Sequence, residues 1–320
     1  MTIWAASPTR VDDETVRFEG RAMASPLSLQ VVGTAERDAA RAWRAVVDTF
    51  AESDALMSRF RADSEITALN RASIAGASCR VSRRLAVAVH AADRAHRLTR
   101  GRFDPRVVGL LDGWGYRGTP LGAAAQAGGV GSAERIVVRT DRATLRLPHP
   151  VDLGGIGKGL ALRWARDRLD QAAVGRYLLD AGGDLVARGS APDGGPWVIG
   201  IEDPRGADGP RAALTVETGA VATSSIRRHH WVDRGGRERH HLVDPATAAP
   251  ADGGLRAVTV AAADPAWAEV WSKALFVAGR DAIAILARGR GLAAWWVADD
   301  GSLEMTPAAR ARTVWVAGEA

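Results

Sequence analysis

The sequence predicts an α+β fold, a mixed and mostly antiparallel β-sheet core flanked by helices. Runs with helical spacing are interleaved with short alternating or β-branched runs, but the two do not alternate strictly, as a doubly wound parallel sheet would require. Glycine- and proline-rich stretches at 118–133, 189–196 and 203–210 punctuate the strand-like runs. A chain of 320 residues that is 47% hydrophobic and 25% charged can bury a sizeable core, as one large domain or two closely packed ones.

In chain order, residues 1–18 are expected to form a flexible N-terminal segment, 19–300 the folded domain and 301–320 a C-terminal strand or tail. A strand is expected over 27–32. The clearest helix covers 35–57, where Ala39, Trp43, Val46, Val47 and Phe50 recur at three- and four-residue spacing, with Arg37, Arg41, Arg44 and Asp48 on the other side. Further helices are expected over 82–99, 157–172, 266–278 and 280–288. Strand-like runs lie at 134–139, 176–180, 197–201, 212–217, 239–243, 256–262 and 293–298. There is no repeat of fixed period and no low-complexity tail.

The net charge of +5 is spread over the whole chain, with no block of five or six like charges, so the sequence pI near 10.2 is not a nucleic-acid footprint. Cys79 is the only cysteine, which excludes an internal disulfide and any CxxC metal or redox site. No stretch approaches the roughly 18 apolar residues of a membrane span, and neither an export signal nor a lipid-acceptor cysteine is visible. A cytoplasmic protein is expected, with monomer and homodimer both open. Of the 42 basic residues only Lys158 and Lys273 are lysines. An ammonium is compact and acts toward phosphate as a point charge, unlike a guanidinium fork, and both lysines fall in segments with other marks of chemistry.

VDLGGIGKGLALRWARDRL, from Val151, reads as a strand end, a glycine-rich turn and an amphipathic helix. Glycines 154, 155, 157 and 159 would let backbone N–H groups approach an anion, with Lys158 in reach of a phosphate; a plain strand-to-helix turn reads equally well. The pattern is neither Walker A nor GxGxxG. In LLDAGGDLVARG, Asp184 follows Gly182 and Gly183 and is either a turn aspartate or an acceptor for a ribose or adenine. In GRFDPRVVGLLDGWGY, Phe103 could stack on a planar ring and Asp104 bind its polar edge, or Phe103 is core. RERHHLVDPAT carries His240, His241 and Asp244, a histidine pair beside an acid that can serve as a general base or as a solvated cap. AEVWSKALFVAG sets Glu269 and Lys273 four residues apart on one face of a helix that Trp271, Leu275 and Phe276 mark as buried.

Taken in order, FEGRAMAS, MSRFRADSEITALN, GRFDP with GWG, DLGGIGKG, AGGDL with PWVIGIEDP, VATS, HHLVDPAT and AEVWSKALFVAG resemble the ApbE flavin transferase family from about residue 19 to 298. The resemblance implies transfer of FMN from FAD onto a threonine or serine hydroxyl of an acceptor protein with a flavin-binding domain, releasing AMP. It implies FAD held by Met23, Phe60, Arg102, Phe103, Asp104, Asp152, Lys158 and Val243, with Asp184 a further candidate, and His241 as the base. It also implies a divalent ion, Mg²⁺, at the carbonyl of Gly155 and two side chains of the late helix. There the family reads DxxxT and this chain has Glu269 and Lys273, so Mg²⁺ is expected to bind weakly, with the Lys273 ammonium in its stead. The early MGT of the family is Met23, Ala24 and Ser25 here. An FAD-binding protein without transfer, serving as flavin store or sensor, and an FAD diphosphatase are the competing readings.

Overall fold

The computed structural model describes residues 9–116, 128–139 and 143–318. Their centre is a nine-stranded sheet whose strands, in spatial order, are Thr9–Arg10, Thr15–Ala22, Ser25–Val32, Tyr177–Ala181, Asp184–Arg188, Gly219–Ser225, Leu255–Ala262, Ala293–Ala298 and Leu303–Met305. Every neighbouring pair in it is antiparallel. The fold is therefore the α+β arrangement the sequence predicts.

Alternation along the strands sorts the side chains to two faces. One face, with Phe18, Leu29, Leu179 and Val186, packs on helix α1 (Glu36–Met57) through Trp43, Val46 and Phe50. The other face, with Leu185, Val221, Ala261 and Trp295, is covered by a three-stranded sheet of Trp197–Glu202, Pro210–Val216 and Thr313–Val316. Helix α2 (Glu65–Ile74) starts where Ser64 Oγ accepts from the Thr67 N–H, and α3 (Arg83–Leu98) where Ser82 does the same for Leu85. After α4 (Val108–Gly113) comes α5 (Gly157–Gln171), which joins α1 on the first face. Helix α6 (Pro265–Ala278), capped by Asp264 with proline in its first turn, is followed by α7 (Arg280–Gly289).

Several expectations are corrected. The segment read as flexible contributes strands from Thr9 onward, because Val16 and Phe18 alternate inward in a run interrupted by charged residues; residues 1–8 lie outside the described residues. Beyond residue 300, where a strand or a tail was expected, Leu303–Met305 extends the large sheet and Thr313–Val316 the small one. The run at 134–139 is a strand only at Val138–Arg139. The run at 239–243 is two strands, Glu238–His240 and Val243–Asp244, in different sheets, and His241 sits at the break. The glycine-rich stretch at 118–133 lies largely outside the described residues. No helix among the described residues is long and apolar enough to cross a membrane.

Candidate active site

The glycine-rich turn is held from below by buried Asn70 on α2. Its amide donates to the Val151 carbonyl at 2.8 Å and accepts the Val151 N–H at 2.9 Å, a double hold that fixes the approach to the turn. Asp152 then folds the turn on itself, accepting the Gly154 N–H at 2.7 Å, while its other oxygen lies 3.5 Å from Nε of buried Arg59. The glycines are not equivalent. A Cβ at Gly159 would stand 2.5 Å from the Ala266 Cα, so this glycine lets α5 and α6 cross closely rather than opening the turn to a ligand. At Gly155 a Cβ would meet Phe103 at 2.7 Å and the Lys273 stem at 3.3 Å, and at Gly157 it would face the Met23 methyl at 3.7 Å.

Those contacts bring Met23, Phe103, Gly155 and Lys273 together. Met23 reaches the turn from the hairpin between Thr15–Ala22 and Ser25–Val32, whose two turn residues Met23 and Ala24 are left-handed at φ +46° and +62°. Non-glycine residues held there carry strain that concentrates at functional sites.

Both lysines end at this place, each beside a buried acid. Asp184 pairs with the Lys158 ammonium through Oδ2 and accepts the Thr223 N–H through Oδ1 at 3.1 Å. Glu269 accepts from Lys273 Nζ at 3.2 Å through Oε1 and from the Gly159 N–H at 2.8 Å through Oε2. Burial works against the Lys158 charge, yet the negative charges of Asp184, Glu269 and Asp180 outweigh it and raise its proton affinity above the ordinary value.

His241 lies beside them. Burial, then the Lys273 charge and the neighbouring His229 and His240, hold it well below the usual imidazole range, so it is a neutral proton acceptor at pH 7. Its buried Nδ1 has no hydrogen-bond partner among the described residues. The His229 carbonyl accepts the His241 N–H at 3.2 Å, and the two rings meet edge to face at 5.2 Å. His229 is itself left-handed, at φ +57°, and its proton affinity is lowered by burial and then by Lys158 and Arg228. From His229 an aromatic wall runs outward through Tyr116 to Trp231, 4.8 Å from Tyr116, and to Phe60, which stays 56% exposed; the Arg59 guanidinium lies over both Phe60 and Tyr116.

Other expected residues are placed differently. Both carboxylate oxygens of buried Asp104 are taken by Arg106, at 2.8 and 2.7 Å, with the Gly131 N–H on one of them. The Asp104 side chain thus braces its own turn, a role not anticipated for the residue expected at the polar edge of a ring. Phe103 is 5% exposed and packs in the core, leaving only an edge toward Gly155. Arg102 sits half-buried in the turn after α3, and Val243 is buried in the short strand paired with Ala249–Pro250. Sequence reasoning missed Arg59, Asn70, Tyr116 and His229. The first three lie inside segments it had singled out, MSRFRADSEITALN and GWGY, and the pair His229–His230 stands across a hairpin from His240–His241.

The residues at the divalent-ion positions, Gly155, Glu269 and Lys273, fit a metal ion poorly. Each Glu269 oxygen already accepts a hydrogen bond, and Lys273, where the family has a hydroxyl ligand, offers an ammonium with no lone pair and a positive charge.

The same fold recurs in known proteins. The sequence model described as "ApbE family" matches residues 23–296. Proteins named FAD:protein FMN transferase are 29% identical in Haemophilus influenzae, over 76% of this chain and 74% of that protein, and 27% identical in Salmonella typhimurium, over 89% and 84%. The crystal structure of the ApbE protein of Thermotoga maritima superposes with a TM-score of 0.81 at 25% identity, covering 94% of this chain and all of that one. The flavinyl transferase ApbE of Pseudomonas stutzeri, in its apo form, gives 0.79 at 25% identity over 96% of this chain. The chain belongs to the ApbE family.

Proposed function

We propose that this protein transfers FMN from FAD to a threonine or serine hydroxyl of an acceptor protein with a flavin-binding domain. The observation that carries the reading is the convergence of two acid-held ammonium groups and a neutral histidine on one glycine-rich helix start. A diphosphate is the ligand such a place suits, because it carries negative charge in a site that water only partly reaches.

In the reaction the acceptor oxygen forms a bond to the FMN-side phosphorus and the bond from that phosphorus to the AMP oxygen breaks. The hydroxyl proton passes to the His241 imidazole and AMP departs with the bridging oxygen. Lys158 and Lys273 hold the diphosphate oxygens and stabilise charge as it shifts to the leaving phosphate. Met23 and the aromatic wall of Phe60, Tyr116 and Trp231 offer the flavin ring an apolar surface.

The test is intact-mass spectrometry of a candidate acceptor incubated with the protein and FAD. A gain of one FMN unit that depends on the protein is expected, and His241→Ala should slow it by about 10²–10⁴-fold. A saturably FAD-bound protein that leaves every flavin-domain acceptor unmodified would contradict transfer and leave binding alone.

A further inference from the structure

We infer that this site meets the charge of the FAD diphosphate with an ammonium of its own chain, Lys273 held by Glu269, and therefore binds FAD and transfers FMN without a divalent cation. The inference rests on the flavin-transfer reading above.

Glu269 is 1% exposed and both its oxygens are engaged, Oε1 with Lys273 Nζ at 3.2 Å and Oε2 with the Gly159 N–H at 2.8 Å. The second bond fastens the acid to the first turn of α5, just beyond the glycine-rich turn. The first bond places the ammonium on that turn, where the Lys273 stem lies against Gly155 and beside Phe103. A divalent ion at Glu269 would have to share an oxygen that already accepts a hydrogen bond and stand beside a positive charge in a poorly solvated place. Both effects oppose it. Lys273 keeps a side-chain exposure of 20%, so its head is available to a ligand that arrives at the turn. Lys158, held in the same way by Asp184, supplies the second charge. Glu269 is thus a positioning residue: it touches no reacting atom and acts through Lys273.

Fluorescence titration of FAD into the full-length protein, in EDTA and in excess MgCl₂, tests the inference without an acceptor. The wild type is expected to bind FAD with the same affinity in both, within about twofold. Lys273→Met should lose about 10–100-fold in both. Lys273→Thr, which exchanges the ammonium for a hydroxyl ligand, should bind weakly in EDTA and recover about tenfold or more in MgCl₂. Glu269→Gln should weaken binding several-fold while leaving it indifferent to Mg²⁺. Calorimetric titration of MgCl₂ into the FAD complex should give heat for Lys273→Thr and none for the wild type. Wild-type affinity that collapses in EDTA and returns with Mg²⁺ overturns the inference and leaves the flavin reading standing. The absence of FAD binding in either buffer overturns both. Should Lys273→Met fail to fold, the wild-type comparison decides alone.

Discussion

The two lysines of this chain are held by the same device built from different parts. Each ammonium rests on a buried acid whose other oxygen takes a backbone N–H: Asp184 takes that of Thr223, and Glu269 takes that of Gly159. In the first pair the partners come from α5 and a sheet strand, 26 residues apart; in the second they are one helical turn apart on α6. The two frames meet on α5, where Lys158 and Gly159 are neighbours: one runs from there to the sheet through Asp184, the other to α6 through Glu269. Free ammonium groups on flexible stems would have to be ordered on binding, and pre-ordering them removes that cost from the reaction.

The comparison can be broken from either side. Between the two lysines the larger effect is expected for Lys158→Met, which removes the charge on the glycine-rich helix start itself and should slow FMN transfer by about 10²–10³-fold; a loss no greater than that of Lys273→Met would make the two frames equivalent. Asp184→Ala and Glu269→Ala each leave a backbone N–H and a lysine without their acid. Denaturant titration should show each destabilised by about 1–3 kcal/mol, and a neutral result for either would mean that water or another group replaces the acid.

A pH series sharpens the same point from the histidine side. His229, His240 and His241 are all held below their ordinary proton affinity, burial being the leading cause for each. Because the unfolded chain takes up these protons near pH 6.5 and the folded chain does not, the stabilisation is complete above about 6.5 and is lost as the pH falls below it. His241→Gln should flatten that loss in urea titrations between about pH 7 and 5; an unchanged slope would assign the acid sensitivity elsewhere.

The smallest effect concerns the two hairpin turns beside the site. Gly182 and Gly183 turn left-handed without penalty before Asp184, whereas Met23 and Ala24 make the same kind of turn under strain. Ala24→Gly should add about 1 kcal/mol to stability, measured by denaturant titration, and no gain would show that the hairpin relaxes around the alanine.

Local spacing made much of the architecture legible. Helices α1, α3, α5, α6 and α7 fall within one or two residues of their expected bounds because their apolar residues keep helical spacing. Strands built from small residues, such as Gly219–Ser225, escaped because they give little contrast between faces. Helix α2 escaped because it is short and its inward positions include Thr67, Asn70 and Ser73. The site divides likewise. Glu269 and Lys273 could be paired from sequence, being neighbours on one helix. The Lys158–Asp184 pair, the Asn70 hold on Val151 and the approach of His229 to His241 are set by tertiary packing, which no local pattern carries. The bond of Asp104 to Arg106, two residues on, was not anticipated, because nothing in the local pattern marks the arginine as its partner.

Transfer and hydrolysis of FAD differ in stoichiometry. With FAD, this protein and a flavin-domain acceptor, chromatographic quantification of AMP alongside the mass of the acceptor should give one AMP released for each FMN attached to a threonine or serine, with no AMP when the acceptor is omitted. Equal amounts of AMP and free FMN, with the acceptor unmodified, would contradict the account and make the protein a hydrolase of FAD.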